Sequence, residues 1–177
     1  MERVITLRQP PKLVFGNGCS EQFIEDFSGL GFGRVLIVTS GPIMPLVMPI
    51  ADQLKNKGIA VKVWDAGDGE PTIAMLEAGF EAFRSVQADA VVGLGGGSVL
   101  DLAKLIAALH DSRQKITDVF GIDKLARRNT WLACLPTTAG TGSEVSPNAI
   151  LFDPSDQSKK GVVSPWLVAD AAYIDPL

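Results

Sequence analysis

The chain has 177 residues, 46% hydrophobic and 20% charged, with a formal net charge of −4, the balance of an ordinary globular domain able to bury a core. No basic run occurs, which argues against nucleic acid as a partner, and no uncharged stretch reaches the about 18 apolar residues of a membrane span. One histidine, His110, and two cysteines, Cys19 and Cys134, leave no disulfide framework, no Ser-His-Asp triad on a G-x-S-x-G elbow and no zinc-ligand spacing.

The opening MERVITLRQPPKLVFG lacks the apolar core of a secretory leader. Together with the sparse cysteines, which read as small core hydrophobes, this points to a cytoplasmic chain. Lys12 to Phe15 reads as a strand and Cys19 to Phe27 as a short helix. Val35 to Thr39 (VLIVT) is a short β-branched run stopped by Ser40-Gly41-Pro42, the pattern of a buried parallel strand. Residues 43 to 57 have helical spacing and end at Gly58, a C-cap candidate. Ile59 to Trp64 alternates as a strand. The turn-rich DAGDGEP, Asp65 to Pro71, follows it, either as a solvated acidic loop or as a ligand loop at a strand end. Thr72 is placed to cap a helix over residues 72 to 86, with Ile73, Leu76, Phe80 and Phe83 on one face. Ala90 to Leu94 is the next strand and Val99 to Leu109 the next helix, with His110 at its polar end. Trp131 to Leu135 is a further strand. Asn148 to Phe152 and Gly161 to Ser164 flank DPSDQSKK as an antiparallel hairpin, and Tyr173-Ile174 is a last extended piece. This β-α-β-α-β-α order predicts an α/β fold: a parallel sheet with helices on both faces, plus the small hairpin near the C-terminus.

Two loops carry the chemistry. In VVGLGGGSVLDLAK, residues 91 to 104, a strand runs into Gly95, Gly96 and Gly97 and then a helix. The first turn of a helix offers free N–H groups and a partial positive charge, and glycines admit a ligand to the main chain or permit positive φ. A phosphate at this helix start is one reading; a close-packed glycine turn with no ligand is the other. Ser98 and Asp101 fit a capping-box-like S-x-x-D. The motif falls short of G-x-G-x-x-G at Ser98, and no G-K-[ST] follows. The second loop, PTTAGTGSEVSPN, gathers hydroxyls and amides between two apolar strands. It either satisfies its own backbone or lines a ligand crevice with the first loop.

Together, GLGGGSVLDLAK and LPTTAGTGSEVSPNAI resemble the iron-containing (group III) alcohol dehydrogenase family, and the likeness runs from KLVFGNG to YIDPL. The resemblance implies a Rossmann-like N-terminal domain of the dehydroquinate-synthase-like fold, binding NAD or NADP. It also implies a separate helical domain that holds Fe2+ or Zn2+. Carried over residue by residue, the diphosphate loop falls on Gly95, Gly96, Gly97 and Ser98, with Asp101 just after. Thr137 and Thr138, with Thr141 and Ser143 beside them, match the segment around the adenine, ribose and nicotinamide side. Asn148 and Lys159 match positions near the dinucleotide, with Lys160 adjacent as a one-residue alternative. Ser40 stands where many NAD-using members carry an aspartate, so NADP is expected to be tolerated.

The family's metal ligands have no counterpart in this sequence. The expectation is therefore a truncated chain: residues 1 to 177 as the NAD(P)-binding half of a dehydrogenase for a small alcohol or aldehyde, inactive alone. A bared apolar face leaves homodimer formation open. A stand-alone nucleotide-binding module, or a cousin of the glycerol dehydrogenase or dehydroquinate synthase type, are the alternatives. PTTAGTGSE favours the alcohol dehydrogenase branch over those cousins.

Overall fold

Successive residues of a strand point to opposite faces, and in the run Val35–Val38 both faces are apolar. In the computed structural model, which describes residues 6–177, Val35 and Ile37 enter one core while Leu36 and Val38 enter another, and all four are fully buried. The first five residues, where the leader reading begins, lie outside the described residues. A strand apolar on both faces must be covered on both, which is the signature of a parallel sheet between helix layers.

In chain order the elements are β1 (Lys12–Phe15), α1 (Cys19–Ser28), β2 (Arg34–Thr39), α2 (Met44–Asn56), β3 (Ala60–Asp65), α3 (Ile73–Val86), β4 (Ala90–Gly95), α4 (Gly97–Leu109), α5 (Ile116–Val119), β5 (Gly121–Ile122), β6 (Trp131–Pro136), β7 (Asn148–Asp153), β8 (Ser158–Val163) and β9 (Ala171–Ile174). Six strands form one sheet in the order β1-β9-β6-β4-β2-β3, with parallel pairing throughout. α1 and α2 cover one face through Phe23, Ile24, Phe27, Val47, Ala51 and Leu54. α3 and α4 cover the other through Leu76, Phe83, Leu100, Ala103 and Ile106. The α/β fold expected from the sequence is therefore observed, with helices on both faces.

Local chemistry explains the helix ends. Gly58 adopts φ 87°, its N–H donates to the Lys55 carbonyl at 2.9 Å, and the Ile59 N–H reaches back to the Leu54 carbonyl at 3.2 Å. That doubled closure is a Schellman stop, available because glycine tolerates the left-handed region. Thr72 caps α3 as its sequence position predicts, its hydroxyl accepting the Met75 N–H at 3.2 Å. α1 is capped from the far end of the chain: Asp175 accepts the N–H groups of Gly18 and Ser20 and the Ser20 hydroxyl.

The hairpin is present and larger than expected. β7 and β8 pair antiparallel from Asn148↔Val163 to Asp153↔Ser158. β5 adds parallel to β8, making a mixed three-stranded sheet. Within the turn, Lys160 is tied to Asp153 at 2.6 Å and Asp156 at 2.8 Å. Lys160 and Ser155 together hold the Asp153 carboxyl down at about 2.

His110 ends α4 as its sequence position predicts, and it is half-buried there. Its ring stacks on Phe83 at 3.8 Å and its Nε2 lies 2.5 Å from the Thr130 hydroxyl. Burial holds the imidazole below its ordinary value of 6.5. A base kept neutral by folding is protonated first in the unfolded chain. Its contribution is therefore present above about pH 6.5 and lost as pH falls through that value toward the folded one. Urea unfolding between about pH 7.5 and 5.5 should show stability falling more steeply in the wild type than in His110→Gln. Parallel pH profiles would refute this.

Candidate functional site

β2 and β4 are neighbours, yet the helices that follow them leave for opposite faces. Helices that diverge from adjacent parallel strands open a crevice at the carboxyl ends of those strands. Ser40 stands at the β2 end of this crevice. The Val38↔Gly93 register brings it level with Gly95. On the other side of β4, the ladder to β6 runs as far as Gly95↔Pro136, and the Thr137 N–H donates to the Gly95 carbonyl at 3.0 Å. The glycine loop and the threonine loop thus leave the sheet side by side.

The glycines serve space rather than unusual torsion. Positive φ was one expectation for them, but none of Gly95, Gly96 and Gly97 is among the left-handed glycines, and Gly96 sits at φ −72°. A Cβ on Gly93 would come 2.8 Å from the Ala103 Cβ, and one on Gly95 2.8 Å from the Val99 side chain. Their absence lets α4 lie flat on β4. A Cβ on Gly97 would meet Thr141 at 3.0 Å, so the second loop closes over the first turn of the helix. Gly96 differs: its nearest neighbour would be Thr138 Oγ1 at 3.5 Å, ordinary contact. Gly96 is the N-cap residue of α4 and no side chain caps that end. The N–H groups of Gly97, Ser98 and Val99 therefore have no intrahelical acceptor and face outward with the positive end of the helix dipole.

The expected capping box is not formed. α4 begins at Gly97, so Ser98 is already inside the first turn. Asp101 turns away to the neighbouring loop and hairpin: one oxygen accepts the Ser143 hydroxyl, the other the Ile150 N–H at 2.9 Å. A capping box is a local rule, and here longer-range partners win.

Beneath Asp101 lies a residue the sequence motif contained but did not single out. Lys104 is fully buried, its ammonium donating to the Asn148 carbonyl at 2.9 Å, the Ser146 carbonyl at 3.1 Å, and the Ser143 and Ser146 hydroxyls at 3.2 Å. Asp101 is 3.9 Å away. Burial lowers the Lys104 ammonium from its ordinary value and raises the Asp101 carboxyl. Oxygen acceptors in such number around one buried amine offset part of the cost of burying its charge. A lysine inside the apolar run VLDLAKLIAAL was the available signal, since a buried ammonium needs a polar destination.

Two cavities flank this arrangement. The larger, about 670 Å³, is reached by Thr137, Thr138, Leu94, Leu135, Ile24 and Tyr173. The smaller, about 230 Å³, is lined by Gly97, Ser98, Asp101, Thr141, Ser143, Asn148 and Lys159, joined by Glu70, Pro71, Ser146 and Ile150. Gly96 stands between them, facing Thr138 of the larger, while Gly97 faces Thr141 of the smaller. Ser40, Gly95 and Gly96 line neither cavity. Lys159 points to the smaller cavity and pairs with Glu70 at 2.7 Å, whereas Lys160 is committed to the hairpin turn. Glu70 and Pro71 show that the DAGDGEP loop reaches the crevice. At its start, Asp65 closes onto the Gly67 N–H at 2.8 Å.

Among the described residues no three of His, Cys, Asp and Glu come together to hold a metal ion. Cys19 and Cys134 are buried in opposite cores, and burial pushes the Cys134 thiol up to about 12, so neither offers a reactive thiolate. No helix among the described residues is long and apolar enough to cross a membrane.

Known proteins resemble this chain in sequence and fold. A family profile described as iron-containing alcohol dehydrogenase matches residues 10–176. The chain is 30% identical over 166 residues to the sulfoacetaldehyde reductase of Bilophila wadsworthia, covering 93% of this chain and 43% of that protein. It is 30% identical over 177 residues to a probable alcohol dehydrogenase of Salmonella typhimurium, covering 99% and 45%. Among solved structures, a 1,3-propanediol oxidoreductase superposes with TM-score 0.92 at 27% identity, over 98% of this chain and 46% of that one. The sulfoacetaldehyde reductase of Bifidobacterium kashiwanohense in complex with NAD+ gives 0.88 at 27%, over 99% and 47%. The chain spans rather less than half the length of these relatives.

Proposed function

The chain belongs to the iron-containing alcohol dehydrogenase family, and from that premise we propose that it is the nicotinamide-dinucleotide-binding half of an enzyme that interconverts small alcohols and their aldehydes or ketones. The observation that carries this reading is the uncapped start of α4 between two cavities. The Gly97, Ser98 and Val99 amides suit a diphosphate bridge, and a cavity on either side suits the two nucleoside arms. Thr137 and Thr138 would line one arm. Thr141, Ser143, Asn148 and Lys159 would line the other, with Asp101 fixed behind them. In such an enzyme the cofactor carries the hydride, and these residues bind and orient it.

Iron, which the family name implies, finds no fitting donor set among the described residues. His110 is engaged with Phe83 and Thr130, and both cysteines lie deep in the cores. No step through a metal is therefore assigned to them, and these 177 residues are proposed to bind cofactor without turning over substrate.

Both NAD and NADP are proposed to bind. Ser40 brings no charge to the crevice, so a 2′-phosphate there meets no carboxylate from that position. Calorimetric titration of the purified chain with each cofactor, followed by an alcohol-oxidation assay with added divalent iron or zinc, tests the whole reading. The expected outcome is binding of both cofactors within about tenfold of each other, a gap worth about 1.4 kcal/mol, and no metal-stimulated turnover. Absence of binding would defeat the function. NAD tighter by more than about tenfold would defeat the NADP assignment, and metal-stimulated turnover the claim of a binding half only.

A further inference from the structure

Glu70 places a carboxylate in the smaller cavity, which the reading above gives to a nucleoside arm beside the diphosphate, and that reading has no use for it. It belongs to the β3–α3 loop, while its partner Lys159 belongs to β8. Their ion pair, 2.7 Å long, lines the smaller cavity, as do Gly97 and Ser98. The loop is anchored rather than free: the Pro71 carbonyl accepts the Phe152 N–H at 2.7 Å, and Thr72 bridges to Phe152. Lys160 cannot stand in as a second cation, because Asp153 and Asp156 hold it on the hairpin turn. Lys104 cannot either, because its ammonium is spent on the floor of the second loop. An anion arriving at the α4 amides thus meets a carboxylate lining the same cavity, and the ammonium that would greet it is already paired.

We propose that Glu70 sets the affinity of this site: it holds Lys159 off the cofactor's diphosphate and keeps binding weak enough for the cofactor to exchange. The proposal rests on the dinucleotide reading above. Its physical content is charge competition, so it concerns charged ligands only and fades with salt. One unit charge beside the anion, in an effective dielectric between about 20 and 80, changes the binding constant by about 3- to 10-fold after partial screening.

The test compares the wild-type chain with Glu70→Gln by calorimetry, using NAD and uncharged adenosine as probes at about 20 mM and about 500 mM salt. Glu70 is exposed, so its replacement should not disturb folding. The expected result is NAD binding about 3- to 10-fold tighter in Glu70→Gln at low salt, a gain that shrinks at high salt, and unchanged adenosine binding. Glu70→Gln within about twofold of wild type, or weaker, overturns this inference while leaving the dinucleotide reading in place. A gain that ignores salt or extends to adenosine also overturns it, since it would mark a change of loop shape. A wild-type chain that binds no NAD overturns both.

Discussion

Gly96→Val leaves the chain folded and weakens dinucleotide binding by about 10- to 100-fold. The two halves of this expectation come from the same residue. In the free protein a Cβ at position 96 meets nothing closer than Thr138 at 3.5 Å, and φ −72°, ψ 176° is extended backbone that valine adopts readily. Loss of glycine at an N-cap costs up to about 1 kcal/mol, and the stiffer unfolded chain returns a similar amount. A bound diphosphate changes the balance, because the isopropyl group stands over the amides of Gly97 and Ser98. Each hydrogen bond from such an amide to a charged acceptor is worth about 1.5–3 kcal/mol, which sets the range of lost affinity. Gly95→Val supplies the contrast. There the new side chain would start 2.8 Å from Val99, so the damage falls on the packing of α4 against β4. Thermal unfolding and NAD titration of both variants separate the cases. A Gly96→Val chain that is stable and binds NAD as tightly as wild type would remove the diphosphate from this helix end.

The contrast between Gly95 and Gly96 also marks how far the sequence could be read. Features governed by neighbours in the chain were legible: the continuous apolar run Val35–Val38, the Gly58 stop, the Thr72 cap, and the strand-loop-helix order that sets the parallel sheet. The glycine cluster was legible as a place of close approach, but the reason at each position was not. Whether a glycine admits a helix, a loop or a ligand depends on atoms far away in sequence, such as Ala103, Thr138 or Thr141. Asp101 failed as a capping residue on the same ground, its partners being Ser143 and Ile150. β5 has only two residues and owes its pairing to β8, so it carries no periodicity to detect. Lys159 against Lys160 was a question of which side of a hairpin faces the crevice, and alternation along β8 decides it: one ammonium goes to Glu70, the next to Asp153.

Lys104→Met is the change expected to do the most harm, and its effect should spread in a particular direction. Methionine approximates the volume and shape of the lysine stem but removes every donor. Two main-chain carbonyls, Ser146 and Asn148, then lose their ammonium partner, as do the Ser143 and Ser146 hydroxyls, and the Asp101 carboxyl is left without its nearest cation. Breaking a buried charge arrangement by removing one partner costs about 3–5 kcal/mol, a large part of the about 5–15 kcal/mol that holds a domain together. The loss is local at first, because the orphaned acceptors lie on the loop that carries Thr141, Ser143 and Asn148, while the α4–β4 contacts through Gly93 and Gly95 stay intact. Hydrogen exchange at low temperature should therefore quicken across residues 141–150 well before it quickens in β4, and NAD affinity should fall with it. Urea unfolding supplies the total. A loss under about 1 kcal/mol, with exchange in that loop unchanged, would mean that the second loop is held by its own turns and that the buried ammonium is incidental to the site.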